Sequence, residues 1–424
     1  MKKQYYDRLN ETLYTCQMEN GLTVQVVPRP GFSRKLAYFV TDFGSIHTDF
    51  LLEGKEINAP AGIAHFLEHK MFELPDRDVS AEFAALGANV NAFTSYDITA
   101  YYFSCTENFL PSLRLLLEFV STPYFTEESV QRERGIIDQE IGMNEDSPER
   151  VFENLMGAMY RSHPIRVPIL GSRESIRQIT PELLETCHRA FYTPANMILC
   201  VVGDVDPQQV VETAREVLGE EKKEAGIKLR PWQEDMTCRQ EAVSMQMEVA
   251  MPNFQLGFKC EAVGDGEAAI RQEVIGDLAA EALFGESSKL YLQMYEQGLI
   301  DSSFGGGFET VDGCALLTCG GDSDQPEAVR NAILARVEEL IKTGISENDL
   351  LRMKRSALGR RIRDLDSFDS TCFRLCAYQL SDFDYFRFPG VYTDITGAQV
   401  CAFLEKVVKE ARCALSVIEP RRQA

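Results

Sequence analysis

Two histidines lie four residues apart in this chain, with a glutamate directly before the second, and this spacing restricts the possible local structure more than any other motif. His65, Glu68 and His69 form the pattern H-x-x-E-H. On an α-helix, residues four apart share a face, and the third position along lies beside them. Both imidazoles can then hold one metal ion while the Glu68 carboxylate reaches a water molecule beside it. The pattern therefore predicts a helix and, with it, a metal, a base and a class of hydrolytic chemistry.

The histidine pair also has a simpler interpretation. Such pairs occur on solvated helix faces, or in cores where both rings bond to the backbone. Only five histidines occur among the 424 residues, so the full pattern would seldom arise by chance. We therefore interpret His65 and His69 as metal ligands and Glu68 as a general base.

The composition argues against some classes of partner. Aspartate and glutamate number 65 against 43 lysines and arginines, which gives a formal net charge of -22. A surface of this charge repels the phosphates of nucleic acids and of anionic membranes, so we expect no nucleic acid and no membrane as partner. With 45% hydrophobic residues, the chain can bury two cores more readily than one.

The cysteines and the N-terminus indicate a compartment. Twelve cysteines are scattered from Cys16 to Cys413 without a C-x-x-C pair, which is typical of reduced thiols. The first residues lack the apolar core of a signal peptide. No apolar run approaches the roughly 18 residues of a membrane span. We expect a soluble, cytoplasmic protein.

The same order of strand and helix patterns occurs twice along the chain. Segment 220–235 is charged, contains a proline and has no regular period, which predicts a linker. We predict a catalytic zinc domain over residues 1–219 and a homologous domain without metal over residues 236–424. The fold class is α+β, with two similar domains that each pack helices over a mostly antiparallel sheet.

Individual elements follow from local patterns. Asn20-Gly21 predicts a hairpin turn before a strand over residues 22–27. Residues 91–104 alternate and are rich in aromatic and β-branched side chains, which predicts one strand. Residues 109–120 and 267–284 have the apolar spacing of helices.

A catalytic zinc site needs a third protein ligand. Glu133 and Glu140 are seven residues apart, and two helical turns take about 7.2 residues, so both share one face. Glu140 could bind zinc, and Glu133 could accept a hydrogen bond from a ligand histidine. Taken alone this pair carries little weight, because glutamates seven apart are common on solvated faces.

With both segments considered, the chain resembles the insulinase/pitrilysin-like zinc metallopeptidases, and most closely their small bacterial branch. The resemblance implies zinc bound by His65, His69 and Glu140, with Glu68 as base and Glu133 as a catalytic helper. It also extends to Gly87-Ala88-Asn89-Val90 and to the substrate-binding edge strand, which implies that Asn91, Ala92, Phe93 and Thr94 pair with an extended peptide. The resemblance is strong in the first half of the chain and loose in the second.

The position of the third ligand needs a choice between two glutamates. Seventy residues separate His69 from Glu140, a few fewer than is usual in the family, so counting alone would favour Glu145. Only Glu140 has a glutamate seven residues before it, in the pattern E-R-x-I-I-x-x-E. We therefore assign the ligand to Glu140.

The second half departs from the family pattern. Active members often carry an arginine and, about seven residues later, a tyrosine that hold the substrate backbone and the oxyanion. Tyr295 and Asp301 stand at these positions here. A tyrosine lacks the charged fork of arginine, and a carboxylate would repel a developing oxyanion. We predict a heterodimer, rather than a homodimer, with a homologous inactive subunit that carries the arginine and the tyrosine.

The expected function is therefore zinc-dependent hydrolysis of unstructured peptides or of one dedicated protein substrate. Two alternatives stay open. The chain could be a non-catalytic subunit of a processing-peptidase-like complex, although such subunits usually lose a histidine or the base. It could also be a maturation factor for a single protein, which is a question of substrate rather than of chemistry.

Overall fold

The structure is a computed structural model that describes residues 1–75, 77–222 and 226–421. The β-strands of these residues are β1 (Lys2–Tyr6), β2 (Glu11–Gln17), β3 (Thr23–Pro28), β4 (Lys35–Thr41), β5 (Asp49–Leu52), β6 (Lys55–Asn58), β7 (Glu73–Leu74), β8 (Arg77–Asp78), β9 (Ala88–Thr94), β10 (Thr99–Cys105), β11 (Met197–Gly203), β12 (Ile227–Leu229), β13 (Ala242–Met247), β14 (Asn253–Cys260), β15 (Gly305–Val311), β16 (Cys314–Asp322) and β17 (Cys413–Pro420). The α-helices are α1 (Ile63–Met71), α2 (Val79–Ala85), α3 (Phe109–Val120), α4 (Glu127–Glu145), α5 (Arg150–Met159), α6 (Arg173–Ile176), α7 (Pro181–Phe191), α8 (Pro207–Leu218), α9 (Glu267–Phe284), α10 (Lys289–Glu296), α11 (Pro326–Thr343), α12 (Glu347–Asp364), α13 (Phe368–Leu380), α14 (Phe388–Thr393) and α15 (Gly397–Val407).

The chain forms two compact units, and each combines segments distant in sequence. The first unit contains Met1–Ile141, Pro168–Arg230 and Ile362–Phe386; the second contains Gly142–Val167, Pro231–Arg361 and Arg387–Ala424. In the first unit, α13 from the late segment packs against β11 and β4. The division of the sequence into 1–219 and 236–424 stays a prediction, and residues 223–225 of its linker lie outside the described residues.

Each unit is built on a mostly antiparallel sheet with helices packed on it, which confirms the predicted fold class. The first sheet has the strand order β1-β2-β3-β11-β4-β10-β9, and the second has the order β13-β17-β14-β16-β15. The pairs β3–β11 and β13–β17 are parallel, and the neighbours that follow in each sheet are antiparallel. The second sheet thus repeats the last five strands of the first in order and direction.

The predicted single strand over residues 91–104 is wrong, because a turn divides it into β9 and β10. Ser95 donates its backbone N–H to the carbonyl of Ile98, and its hydroxyl accepts the Ile98 N–H and donates to the Asp97 carboxylate. These local bonds compete with strand pairing and reverse the chain. As a result β9 lies at one edge of the first sheet, paired to β10 alone among the described strands.

The first unit holds a large apolar core. It includes Val24 of β3, Phe39 of β4, Phe66 and Leu67 of α1 and Leu116 of α3, all fully buried. Helix α1 is therefore packed into the centre of the unit rather than laid on its surface, which fixes the positions of any functional side chains that it carries.

Two features bear on the expected compartment. All twelve cysteines lie among the described residues as free thiols. Within the same part of the chain, we find no helix with the length and apolar character needed to cross a membrane.

Candidate metal centre

Helix α1 carries the histidine motif and begins at a glycine that no other residue could replace without strain. Gly62 has a φ of 90°, and a Cβ placed on it would lie 2.5 Å from the carbonyl oxygen of Leu170. This close approach of two backbones sets the start of the helix. His65 and Glu68 are buried, and the rings of His65 and His69 lie 4.5 Å apart between centroids.

Glu140 on α4 faces the two histidines, although seventy residues separate it from them. Its Oε1 lies 3.7 Å from Nε2 of His65, and its Oε2 lies 3.7 Å from Nε2 of His69. Among the described residues, these three side chains form a group whose ligand atoms all lie within 4.8 Å of one another.

The spacing of these atoms fits a metal ion. The two 3.7 Å separations are longer than ordinary hydrogen bonds. Ligands that bind zinc at about 2.0–2.2 Å in a tetrahedral arrangement lie roughly 3.4 Å from one another. Two imidazoles and one carboxylate are also the donor set of a known type of catalytic zinc site with an open position. The residues present therefore suit zinc.

Glu133 orients His69. The His69 Nδ1–H donates to Oε1 of Glu133 at 2.9 Å, with Glu133 buried against α1. This bond places the proton on Nδ1 and leaves the lone pair of Nε2 directed to the centre. Burial alone would lower the pKa of His69, but the hydrogen bond that His69 donates to Glu133 and the charges of Glu68, Glu133 and Glu140 outweigh it and raise that pKa.

His65 is held neutral. Burial, followed by the neighbouring His69, lowers the pKa of His65 to about 3. A metal ligand must present an unprotonated nitrogen, so this environment favours the form that binds metal. The Nδ1 atom of His65 is buried and has no hydrogen-bond partner among the described residues.

Glu68 has the environment of a proton-transfer group. Burial raises the pKa of its carboxyl, and the nearby Glu140 adds to this; the hydroxyl of Thr94 and the His69 ring act in the opposite direction. Thr94 donates to Oε2 of Glu68 at 2.8 Å. A raised pKa brings a carboxyl closer to the range where it can take up and release a proton near neutral pH.

The residues predicted to bind substrate lie on the edge strand β9, but they do not all face the same way. The backbone N–H of Ala92 donates to the Asn91 side chain rather than to β10, so it points to the open edge. Phe93 contacts the rings of Tyr38 and other aromatic residues in the sheet. Thr94 is turned toward Glu68. Only the open-edge backbone matches the geometry expected for pairing with a peptide.

The two residues that depart from the family pattern, Tyr295 and Asp301, both lie on the surface. Tyr295 is on α10, is 52% exposed and stacks on Tyr291 with the ring centroids 6.1 Å apart. The carboxylate of Asp301 accepts hydrogen bonds from the N–H and the hydroxyl of Ser303. Tyr295 therefore supplies no cation where many relatives have an arginine, and Asp301 supplies no hydroxyl where they have a tyrosine.

Sequence reasoning missed a set of contacts that fix α1 against α4. Lys70 is fully buried and donates to Glu73, which also accepts from Arg132 of α4. A buried lysine is unusual unless it is paired, but local periodicity does not reveal where it will be buried.

This fold and this donor set define the class: a two-unit chain with an H-x-x-E-H helix and a distant glutamate, as in the M16-type peptidases. Residues 53–173 match the family model described as insulinase (peptidase family M16), and residues 178–357 match the model described as the peptidase M16 inactive domain. The chain belongs to the insulinase family of peptidases, family M16.

Relatives of similar length support the assignment. The chain is 36% identical to the uncharacterized zinc protease YmfH of Bacillus subtilis (strain 168), over 98% of both chains, which confirms the resemblance to the small bacterial branch. A solved structure described as an M16-like peptidase from Alicyclobacillus acidocaldarius has a TM-score of 0.92 and 33% identity, and covers 97% of this chain and 98% of that one. A protease structure from Helicobacter pylori shares the fold, with a TM-score of 0.82 at 22% identity over 96% and 99% of the two chains.

Proposed function

We propose that this chain is a zinc-dependent endopeptidase that cuts unstructured peptides or flexible protein segments. The observation that carries the proposal is the convergence of His65, His69 and Glu140 beside the buried carboxyl of Glu68. The relatives named zinc proteases support the choice of metal.

The roles of the residues follow from their contacts. His65, His69 and Glu140 would hold the ion, and Glu133 keeps His69 in the tautomer that binds it. Bound zinc would lower the pKa of water toward about 7 and polarise a peptide carbonyl. Glu68 takes the proton from the attacking water and later gives it to the leaving amine.

The substrate is an extended segment, because a sheet edge binds a peptide by adding it as a further strand. The Ala92 N–H at the open edge of β9 is a donor for such a strand once the Asn91 side chain moves aside. A folded protein cannot supply a free strand, so the cut lies in an unfolded or flexible region.

We further propose that the active form is a heterodimer. Tyr295 and Asp301 leave this chain without the arginine and tyrosine that hold the substrate in many relatives of this family. A homologous subunit that carries both would complete the site. The same two departures favour a second candidate, a non-catalytic subunit; the intact set of Glu68 and three candidate ligands favours catalysis.

Metal analysis tests the proposal. Purified chain should contain about one zinc ion, as expected for a single three-ligand site. Glu140→Gln should lose it, whereas Glu145→Gln, the matched control on the same helix, should retain it. Zinc-free wild-type protein, or equal zinc in both variants, would contradict the assignment.

Recovery of the native complex tests the partnership. A tag on the chromosomal copy, followed by mass spectrometry of the purified material, should identify a homologous subunit with the arginine and the tyrosine. Full peptidase activity of the purified chain alone, with Tyr295 and Asp301 unchanged, would rule out the need for that subunit.

A further inference from the structure

The last residue of the edge strand makes a contact that its predicted role does not explain. Thr94 ends β9, and its side chain is directed to α1 rather than to the open edge. Its hydroxyl donates to Oε2 of Glu68 at 2.8 Å, in a partly buried position. No hydrogen bond to the other oxygen of Glu68, Oε1, occurs in the described part of the chain.

The neighbouring hydroxyl determines which way the Thr94 proton can point. Thr99 donates its only hydroxyl proton to the carbonyl oxygen of Phe43 at 2.7 Å. It can therefore accept a hydrogen bond but has no second proton to donate. Its oxygen lies 3.4 Å from that of Thr94. While Glu68 is ionised, Thr94 directs its proton to the carboxylate.

The bond from Thr94 leaves the other oxygen of Glu68 available for proton transfer. A proton taken up from the attacking water arrives on Oε1, where it stays available to the leaving amine. Oε2 still carries lone pairs and continues to accept from Thr94. Thr94 thus donates to the same oxygen throughout the reaction, without any movement of the backbone.

We propose that Thr94 is a positioning residue for the general base rather than a substrate-binding residue. By holding Oε2, it keeps Oε1 directed to the reacting water in both halves of the reaction. This inference rests on the proposed function. It gives Thr94 and Ala92 different roles, because the backbone of Ala92 is still expected to bind the substrate.

Two substitutions separate these roles. Thr94→Val removes the hydroxyl at nearly constant volume and leaves the strand backbone in place, whereas Thr94→Ser keeps the hydroxyl. Thr15→Val, in β2 of the same sheet, is the matched control. Each variant is prepared as the native complex, loaded with zinc, and compared by zinc content, melting temperature, kcat and KM on an unfolded protein.

Thr94→Val should lower kcat about ten- to hundredfold, the effect of one lost hydrogen bond to a charged group, with KM and zinc content unchanged. Thr94→Ser should restore most of kcat, and Thr15→Val should behave as wild type. A rise in KM with unchanged kcat would instead show a role in substrate binding and overturn the inference. An unchanged kcat in Thr94→Val would overturn it as well.

A crystal structure of zinc-loaded Thr94→Val gives a reading independent of activity. The Glu68 carboxylate should have rotated in Thr94→Val and should keep its orientation in Thr94→Ser; an unmoved carboxylate in both overturns the inference. If the wild-type complex cleaves nothing, the proposed function fails and the crystal structures alone decide the role of Thr94. Thr94→Ala replaces Thr94→Val in both measurements if the valine variant does not fold.

Discussion

The contact between Glu133 and His69 leads to a quantitative prediction about zinc affinity. Glu133 accepts the Nδ1–H of His69 at 2.9 Å, and both side chains are largely shielded from solvent. Glu133→Ala removes the acceptor, so the ring can turn and its tautomer is no longer fixed. Loss of a hydrogen bond to a charged group costs about 1.5–3 kcal/mol, and every 1.36 kcal/mol is about a factor of ten.

The zinc dissociation constant of Glu133→Ala should therefore rise about ten- to hundredfold, in line with the effect of such partners in other metal sites. Glu133→Gln should be affected less, because the amide oxygen can still accept the bond. Competition with a chromophoric chelator at neutral pH measures the constant, and Glu145→Ala on the same helix is the control. Wild-type affinity in Glu133→Ala, or an equal loss in the control, would refute this account of how His69 is held.

Three further perturbations test other parts of the account. With free zinc at about a hundred times its dissociation constant, chelation should lower the free energy of unfolding by about 2.7 kcal/mol; His65→Ala should show no such difference, and an equal effect in that variant would contradict the ligand set. The double change Tyr295→Arg with Asp301→Tyr should raise kcat/KM of the isolated chain. An unchanged kcat/KM would argue against the role proposed for the missing arginine and tyrosine. Burial opposes ionisation of Glu234, but three backbone N–H groups and Lys259 outweigh it and lower its pKa to about 2. Because this value lies below the usual 4.5, its stabilising contribution is complete above pH 4.5 and is lost as the pH falls toward 2. Urea unfolding over this range should show a weaker pH dependence in Glu234→Gln, and an unchanged slope would contradict the prediction.

Local pattern predicted several helices, because helix formation depends on the spacing of residues that are close in sequence. Helix α3 spans residues 109–120 and α9 spans residues 267–284, as the apolar spacing predicts. The H-x-x-E-H motif likewise predicted α1. Apolar residues at helical spacing indicated α3 and α9, whereas α1, which is buried at every residue except His69, was predicted from the spacing of its histidines.

Contacts between distant segments could not be predicted in this way. The packing of α13 against β11 joins residues more than 160 positions apart. No period in the sequence relates Glu140 to His69; the family resemblance joined them, and the structure places their side chains 3.7 Å apart. The family resemblance assigned Thr94 to the substrate together with its neighbours on the edge strand, whereas the structure directs its side chain to Glu68, 26 residues earlier in the sequence.

Glu68 is the residue on which the proposed hydrolysis depends. The measurement that tests it is cleavage of an unfolded protein by the native complex, followed by mass spectrometry, for wild type and for Glu68→Gln at equal zinc content. We predict discrete internal cuts by the wild type and none by the variant. Cleavage by Glu68→Gln at the wild-type rate would contradict the assignment of the base, and with it the proposed function of the centre.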